Sequence, residues 1–224
     1  MKTLLDIFLL LPLFAFPQFN YKKMTISLGG GATIPHSDVT DFSFEPVVNG
    51  AFHYNITPYA AIGLDAEVGK LSGNYHNTRE FESNFTAFAV DARLQVRQFT
   101  GKNVSGFAGA LSRLYAGAGL GMINSNATSA PVGDLEEDNP EVFNYKGTDI
   151  IVPVFAGINI PVMKELDTEI LSLFVNYRLN ISFSDDLDAW ASPGSTANDH
   201  FSTISLGLRL NLGPKGPYFF GMAR

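Results

Sequence analysis

"TAFAVDARLQVRQF", residues 86–99, alternates apolar and polar side chains along most of its length. Val90, Ala92, Leu94 and Val96 fall on one side of an extended chain, and Asp91, Arg93, Gln95 and Arg97 fall on the other. A period of two over this length marks a β-strand with two unlike faces. The polar face holds an aspartate and two arginines in a segment otherwise rich in Ala and Phe. Which face meets water decides what kind of sheet this strand belongs to.

The same alternation recurs at 24–33, 47–56, 59–71, 113–123, 150–160, 171–182 and 201–212. Segment 171–182 sets Leu171, Leu173, Val175, Tyr177, Leu179 and Ile181 against Asn176, Arg178 and Asn180. Segment 201–212 sets Ile204, Leu206, Leu208, Leu210 and Leu212 against Ser205, Gly207, Arg209 and Asn211. With the quoted stretch this makes eight strands, each of about ten residues, the length that crosses a bilayer at a tilt. Connections near 34–45, 72–84, 124–149 and 183–200 are long and polar, and those between them are mostly short, 98–112 being the exception. Alternating long and short connections gather the long ones at one end of an up-and-down barrel. The expectation is an all-β fold, an eight-stranded antiparallel up-and-down transmembrane β-barrel spanning 21–213, with both termini in the periplasm and the long loops extracellular.

The distribution of charge supports that reading. The chain of 224 residues carries a formal −7 with only 17% charged residues. Most acids fall in the long connections, chiefly "GDLEEDNPE" (133–141) and "SDDLD" (184–188). The apolar strand faces hold a single charge, Lys70, near a loop end where its stem can snorkel. A lipid-facing surface requires this, because a charge at the bilayer midplane costs about 2–4 kcal/mol. The polar faces hold Asp65, Glu67 and Asp91 with Arg93, Arg97, Arg113, Arg178 and Arg209. These eight are expected to form a lumenal network, with Asp91 and Arg93 neutralising each other. The competing fold is a soluble secreted barrel with its apolar face inward. Its outside would need Lys and Glu, whereas the polar face here carries Gly, Ala, Ser, Asn and Arg. Small residues suit the crowded interior of an eight-stranded barrel.

"MKTLLDIFLLLPLFAFPQFN" (1–20) has a basic start and an apolar run too short to span a bilayer, and reads as a signal peptide whose cleavage point is loosely placed. Residues 214–224 are expected to form a tail. No cysteine is present, which excludes disulfides and thiol chemistry. The negative balance argues against a nucleic-acid surface. His36, His53, His76 and His200 show no metal-ligand spacing, so no metal and no cofactor is expected. Tyr54, Tyr59, Phe85, Phe99 and Phe201 lie near strand ends, where an interfacial girdle belongs.

One catalytic motif merits weighing. His200 and Ser202 share outward parity at the loop end of the last strand, a spacing similar to the His-x-Ser pair of outer-membrane lipid A deacylases. A serine nucleophile needs a base within hydrogen-bond reach and a group to orient that base. No acidic residue follows Ser202 in the chain, and rim polarity explains the pair equally well.

The stretches "RLYAGAGLGM" (113–122) and "ISLGLRLNLG" (204–213) resemble strands of the small outer-membrane β-barrel family, the eight-stranded barrels like the transmembrane domain of outer-membrane protein A. The resemblance covers about 24–213. It departs at the end, where "PKGPYFFGMAR" continues past the last strand instead of closing on a terminal aromatic. It implies a non-enzymatic outer-membrane protein with a structural or surface-interaction role, or an accessory subunit of a membrane complex. A small porin-like channel for ions or solutes is the alternative, and a lipid A-modifying enzyme a third. Implied partners are outer-membrane lipid, lipopolysaccharide and an envelope protein.

Overall fold

The computed structural model describes residues 21–36, 41–75, 79–100, 106–131, 142–165, 168–183 and 200–216. The expected signal peptide, the acidic stretches 133–141 and 184–188, and the last eight residues lie outside the described residues. The described residues form nine strands: β1 (Tyr21–Pro35), β2 (Asp41–Phe42), β3 (Glu45–Asn55), β4 (Ala60–Tyr75), β5 (Arg79–Gln95), β6 (Leu114–Pro131), β7 (Phe143–Glu165), β8 (Thr168–Ser182) and β9 (His200–Gly216). The two-residue β2 only pairs with the end of β4. The other eight close a ring of antiparallel neighbours, β1 pairing with both β3 and β9, and β4 with β5. Each strand of the ring thus has a hydrogen-bonded neighbour on both sides and no edge is left open, the condition for a sheet to cross lipid.

Facing follows the sequence pattern. Along β6, Leu114, Leu120 and Met122 are exposed while Tyr115, Ile123 and Ser125 are buried. Along β9, Ile204, Leu206, Leu208 and Leu210 are exposed while Thr203, Ser205 and Arg209 are buried. The apolar face therefore looks outward and the polar face inward. The apolar row on β6 from Leu114 to Met122 runs for about 27 Å along the strand at 3.4 Å per residue, which at a strand tilt of about 40° covers about 20 Å of a lipid band about 25 Å tall.

Three differences from the sequence reading have physical causes. The connection expected at 72–84 is mostly strand, because β4 runs to Tyr75 and β5 starts at Arg79. In the same way β6 runs to Pro131 and β7 starts at Phe143, inside the expected 124–149 loop. In these extensions the alternation continues with its sign reversed. Outward positions become polar (Lys70, Asn84, Asn126, Lys146), and inward ones become a mixture of apolar residues (Leu71, Phe81, Ile123, Ala127) and small buried serines (Ser83, Ser125, Ser129). A polar outward row reads as a loop to any search for apolar stripes. Second, the connection 98–112 contains two short helices, Arg97–Thr100 and Gly106–Leu111, stitched to the β5–β6 hairpin by Arg97 N–H donating to Ser112 C=O at 3.0 Å. Third, Phe85 and Phe201 are no girdle: both point inward and are buried.

Glycine inside the lumen has a specific use. Gly29 and Gly207 pair across β1 and β9, and the Phe174 ring lies over both, so that a Cβ at either would come within 2.7 Å of it. Phe155 covers Gly117 and Tyr115 covers Gly157 in the same manner. Flat rings over glycine let a narrow barrel be filled without voids.

Candidate functional site: the lumenal charge network and the outer rim

Strand parity delivers Asp65 and Glu67 from β4, Asp91 and Arg93 from β5, Arg178 from β8 and Arg209 from β9 into one lumen. Arg178 is the hub. Its Nη1 donates to Asp65 Oδ1 at 2.7 Å and its Nε lies 3.6 Å from Glu67 Oε1. Glu67 is 1% exposed and also accepts from Asn180 Nδ2 and Thr203 Oγ1, both at 3.3 Å. The Arg178 guanidinium sits 5.2 Å above the Phe155 ring. Buried carboxylates are tolerated when a cation and hydrogen-bond donors meet them together, as here.

Asp91 does not pair with Arg93 as the alternation implied. Its Oδ1 meets His53 Nε2 at 2.9 Å. Neighbours two apart on one strand share a face but diverge around a tightly curved barrel, and His53, from β3 across β4, reaches Asp91 first. Arg93 instead lies over the Tyr115 ring at 5.6 Å, and Arg209 lies over the same ring at 4.9 Å and over Phe174 at 5.1 Å. Arg209 Nη1 also donates to Asn159 Oδ1, and Tyr115 Oη donates to Asn176 Oδ1 at 3.1 Å. Neither Arg93 nor Arg209 forms an ion pair with a carboxylate among the described residues. Their charge is met by ring faces and an amide oxygen.

Arg97 and Arg113 do not belong to this network. Arg97 opens the first short helix, and Arg113 sits in the turn before β6, both beyond the barrel strands. Alternation counted through the end of a strand carried them into the lumen on paper. Without them the charged layer around Arg178 holds, among the described residues, three carboxylates (Asp65, Glu67, Asp91) and three guanidiniums (Arg93, Arg178, Arg209), and its charges balance. His53 is the residue that sequence reasoning passed over, because histidines were tested for metal spacing only. Its parity, opposite Phe52 and Tyr54, was the available signal.

Above the charged layer the lumen turns apolar. Val47, Leu71, Phe81, Phe85, Ala87, Ile123, Ile151 and Phe201 form one buried cluster, with Phe85 and Phe201 ring centroids 5.0 Å apart. Within the charged layer the remaining space is about 20 Å³, lined by His53, Asp91, Arg93 and Arg178 among others. That is room for about one water molecule.

At the outer rim, Ser202 has the outward parity expected of it, yet it is fully buried. Its Oγ lies 2.7 Å from His36 Nε2 and 2.6 Å from Tyr177 Oη, which together cover it. His200 is not the group at Ser202; it stacks on His36, with ring centroids 5.5 Å apart. Burial, with a smaller contribution from His200, lowers the His36 pKa from its usual value near 6.5 and favours the neutral imidazole. No carboxylate contacts His36 among the described residues. No group of His, Asp and Glu suited to holding a metal ion occurs among the described residues.

Comparison with known proteins gives one family match. The model of the outer membrane protein beta-barrel domain matches residues 7–211. No curated protein sequence matches the chain. Among solved structures, Neisserial surface protein A is similar over 85% of this chain and 97% of its own, at 11% identity and a TM-score of 0.47. Ail, the attachment invasion locus protein of Yersinia pestis, solved with the heparin analogue sucrose octasulfate, is similar over 84% of this chain and 97% of its own, at 9% identity and a TM-score of 0.47. The N-terminal β-barrel domain of Pseudomonas aeruginosa OprF is similar over 86% of this chain and 100% of its own, at 10% identity and a TM-score of 0.38.

Proposed function

Because the chain belongs to the outer membrane protein beta-barrel domain family, we propose that it acts as a closed, non-enzymatic barrel whose work is done on its outside. The observation that carries this reading is the double closure of the lumen. A charge-balanced layer around Arg178 fills the membrane-level section, and the apolar cluster around Phe85 and Phe201 fills the section beyond it. An ion crossing this lumen would have to break the Arg178 pairs and then pass the packed cluster around Phe85 and Phe201, where the buried hydroxyls of Ser83 and Ser125 are the polar groups on offer. What the molecule offers to partners is the extended sheet of β4 to β7. Its outward rows carry Lys70 paired with Glu82 at 2.8 Å, Asn124 with Thr148 at 2.9 Å, and Thr128 with Asn144 at 3.0 Å. A strand extension polar on the outside and packed within around Leu71, Phe81 and Ile123 is built for water, so this end belongs beyond the bilayer, at the cell surface, with the termini in the periplasm. Lipopolysaccharide, an envelope protein or both are the partners of such a surface.

Planar-bilayer recording of the purified protein tests the closure. The expected result is no stable single-channel conductance. Reproducible unitary steps that scale with salt would establish the channel reading instead.

The lipid-modifying reading keeps one observation in its favour, the 2.7 Å contact between Ser202 Oγ and His36 Nε2. Against it stand the complete burial of the serine and its second hydrogen bond to Tyr177. In our reading Ser202 ties β1, β8 and β9 together at the rim. Mass spectrometry of lipid A after overexpression decides this, with an acyl chain lost in wild type and retained with Ser202→Ala as the outcome that would restore the enzyme.

A further inference from the structure

At the end of the barrel that carries the chain termini, the β5–β6 connection departs from the tight turns beside it. It holds the helices Arg97–Thr100 and Gly106–Leu111, and the second buries none of its residues. Phe99 is 78% exposed, Phe107 80% and Leu111 42%. Apolar side chains of this size, placed together on one short connection, mark a contact surface rather than scattered surface hydrophobics. The connection grows directly from lipid-facing rows. Leu94 at the end of β5 and Leu114 at the start of β6 are both exposed and outward, and Val96 N–H donates to Leu114 C=O at 2.8 Å just before the helices begin. Gln95 N–H donates to Tyr59 C=O at 2.8 Å, which sets the connection level with the β3–β4 turn, where Tyr54 and Ile56 are also exposed. The apolar surface of the barrel thus continues onto the helices without a polar break in the outward rows.

Charge at this end is mostly positive. Lys22, Lys23, Arg97, Arg113, Lys164 and Lys215 lie here against Glu165 and Glu169, six cations to two carboxylates among the described residues. An apolar tip flanked by cations suits one partner, the headgroup and upper acyl region of an anionic phospholipid leaflet.

We propose that the two helices of the β5–β6 connection lie in the phospholipid leaflet at the terminal end of the barrel, with Phe99, Phe107 and Leu111 inserted among the lipids and Arg97 and Arg113 at the headgroups. A periplasmic turn thereby becomes a lipid anchor that fixes the depth and tilt of the barrel. The proposal rests on the outward facing of the apolar rows but not on the closure of the lumen.

The chain has one tryptophan, Trp190, so a Trp190→Phe background leaves it dark. In that background Phe107→Trp reports on the helix, Phe99→Trp gives a second reporter, and Leu120→Trp, in the middle of the lipid-facing row, sets the standard for full lipid contact. Each full-length variant is folded into vesicles of phosphatidylethanolamine and phosphatidylglycerol, with and without brominated acyl chains, with iodide on both sides as the aqueous quencher. The expected result is bromolipid quenching of Phe107→Trp to about half or more of the Leu120→Trp level, with little iodide quenching, as for a side chain about 5–10 Å into the interface. Quenching by iodide with none by bromolipid, seen at both 107 and 99, overturns the proposal. Loss of bromolipid quenching at Leu120→Trp as well would sink the outward facing itself, so the two failures are distinct. Replacing phosphatidylglycerol by phosphatidylcholine is expected to weaken the quenching at 107, and unchanged quenching would remove the cations from the account.

Discussion

Arg178 and Arg93 are the same residue type, both inward on neighbouring parts of one lumen, and their surroundings make them unequal. Arg178 satisfies Asp65 and Glu67 together, so Arg178→Met strands two buried carboxylates. The expected loss is about 3–5 kcal/mol, read from urea unfolding midpoints in lipid vesicles. Arg93 has no carboxylate within ion-pair distance among the described residues, and its Nη1 is buried without a partner. Arg93→Met removes that uncompensated charge and keeps most of the packing over Tyr115, so its effect is expected within about 1 kcal/mol of wild type. Equal losses for the two variants would show that Asp91 depends on Arg93 after all. The presence of these residues in the lumen was legible from alternation. Their pairing was not, because it depends on how far side chains reach across a curved interior, which spacing along one strand does not encode.

At the scale of the element, β6 states the organisation most clearly. Leu120 and Met122 are outward and apolar, and Asn124, Asn126 and Thr128 are outward and polar. Inward, Gly117 and Gly119 give way to the larger Ile123 and Ala127, with Ser125 and Ser129 buried between and beyond them. One strand thus passes from lipid into water, and the two faces exchange character where it does. Met122→Arg is expected to block insertion, by the cost of about 2–4 kcal/mol for a cation in the lipid band, whereas Asn126→Arg, four residues on and facing the same way, is expected to insert as wild type does. Folded yield by heat-modifiable gel migration measures both, and equal yields would misplace the boundary. The first half of each long strand was readable from its apolar stripe. The second half was not, since its outward row looks like a loop and its apolar row faces the other side.

For the whole molecule, closure of the ring creates the environment that makes each residue sensible. Phe85 from β5 and Phe201 from β9 meet only because the sheet curls until distant strands share one interior. Truncating both to alanine is expected to lower stability by about 3–5 kcal/mol or more, as for other buried aromatic truncations. The double variant is nevertheless expected to remain silent in planar bilayers, because the Arg178 layer still fills the section below. A conducting Phe85→Ala/Phe201→Ala variant would assign the whole barrier to the apolar cluster.

The sequence by itself determined that this chain is an eight-stranded barrel with its apolar face outward, and it brought Asp65, Glu67, Asp91, Arg93, Arg178 and Arg209 onto the inner face. Those properties depend on a period of two and on the cost of charge in lipid, both local to each strand. Only the tertiary structure decided that His53 meets Asp91, that Arg97 and Arg113 stand beyond the barrel strands, that Phe85 and Phe201 pack together inside, and that His36 rather than His200 meets Ser202. Each of these joins residues from separate strands or marks where a strand stops, and distances across a closed ring are set by its curvature and stagger, not by alternation along any one strand.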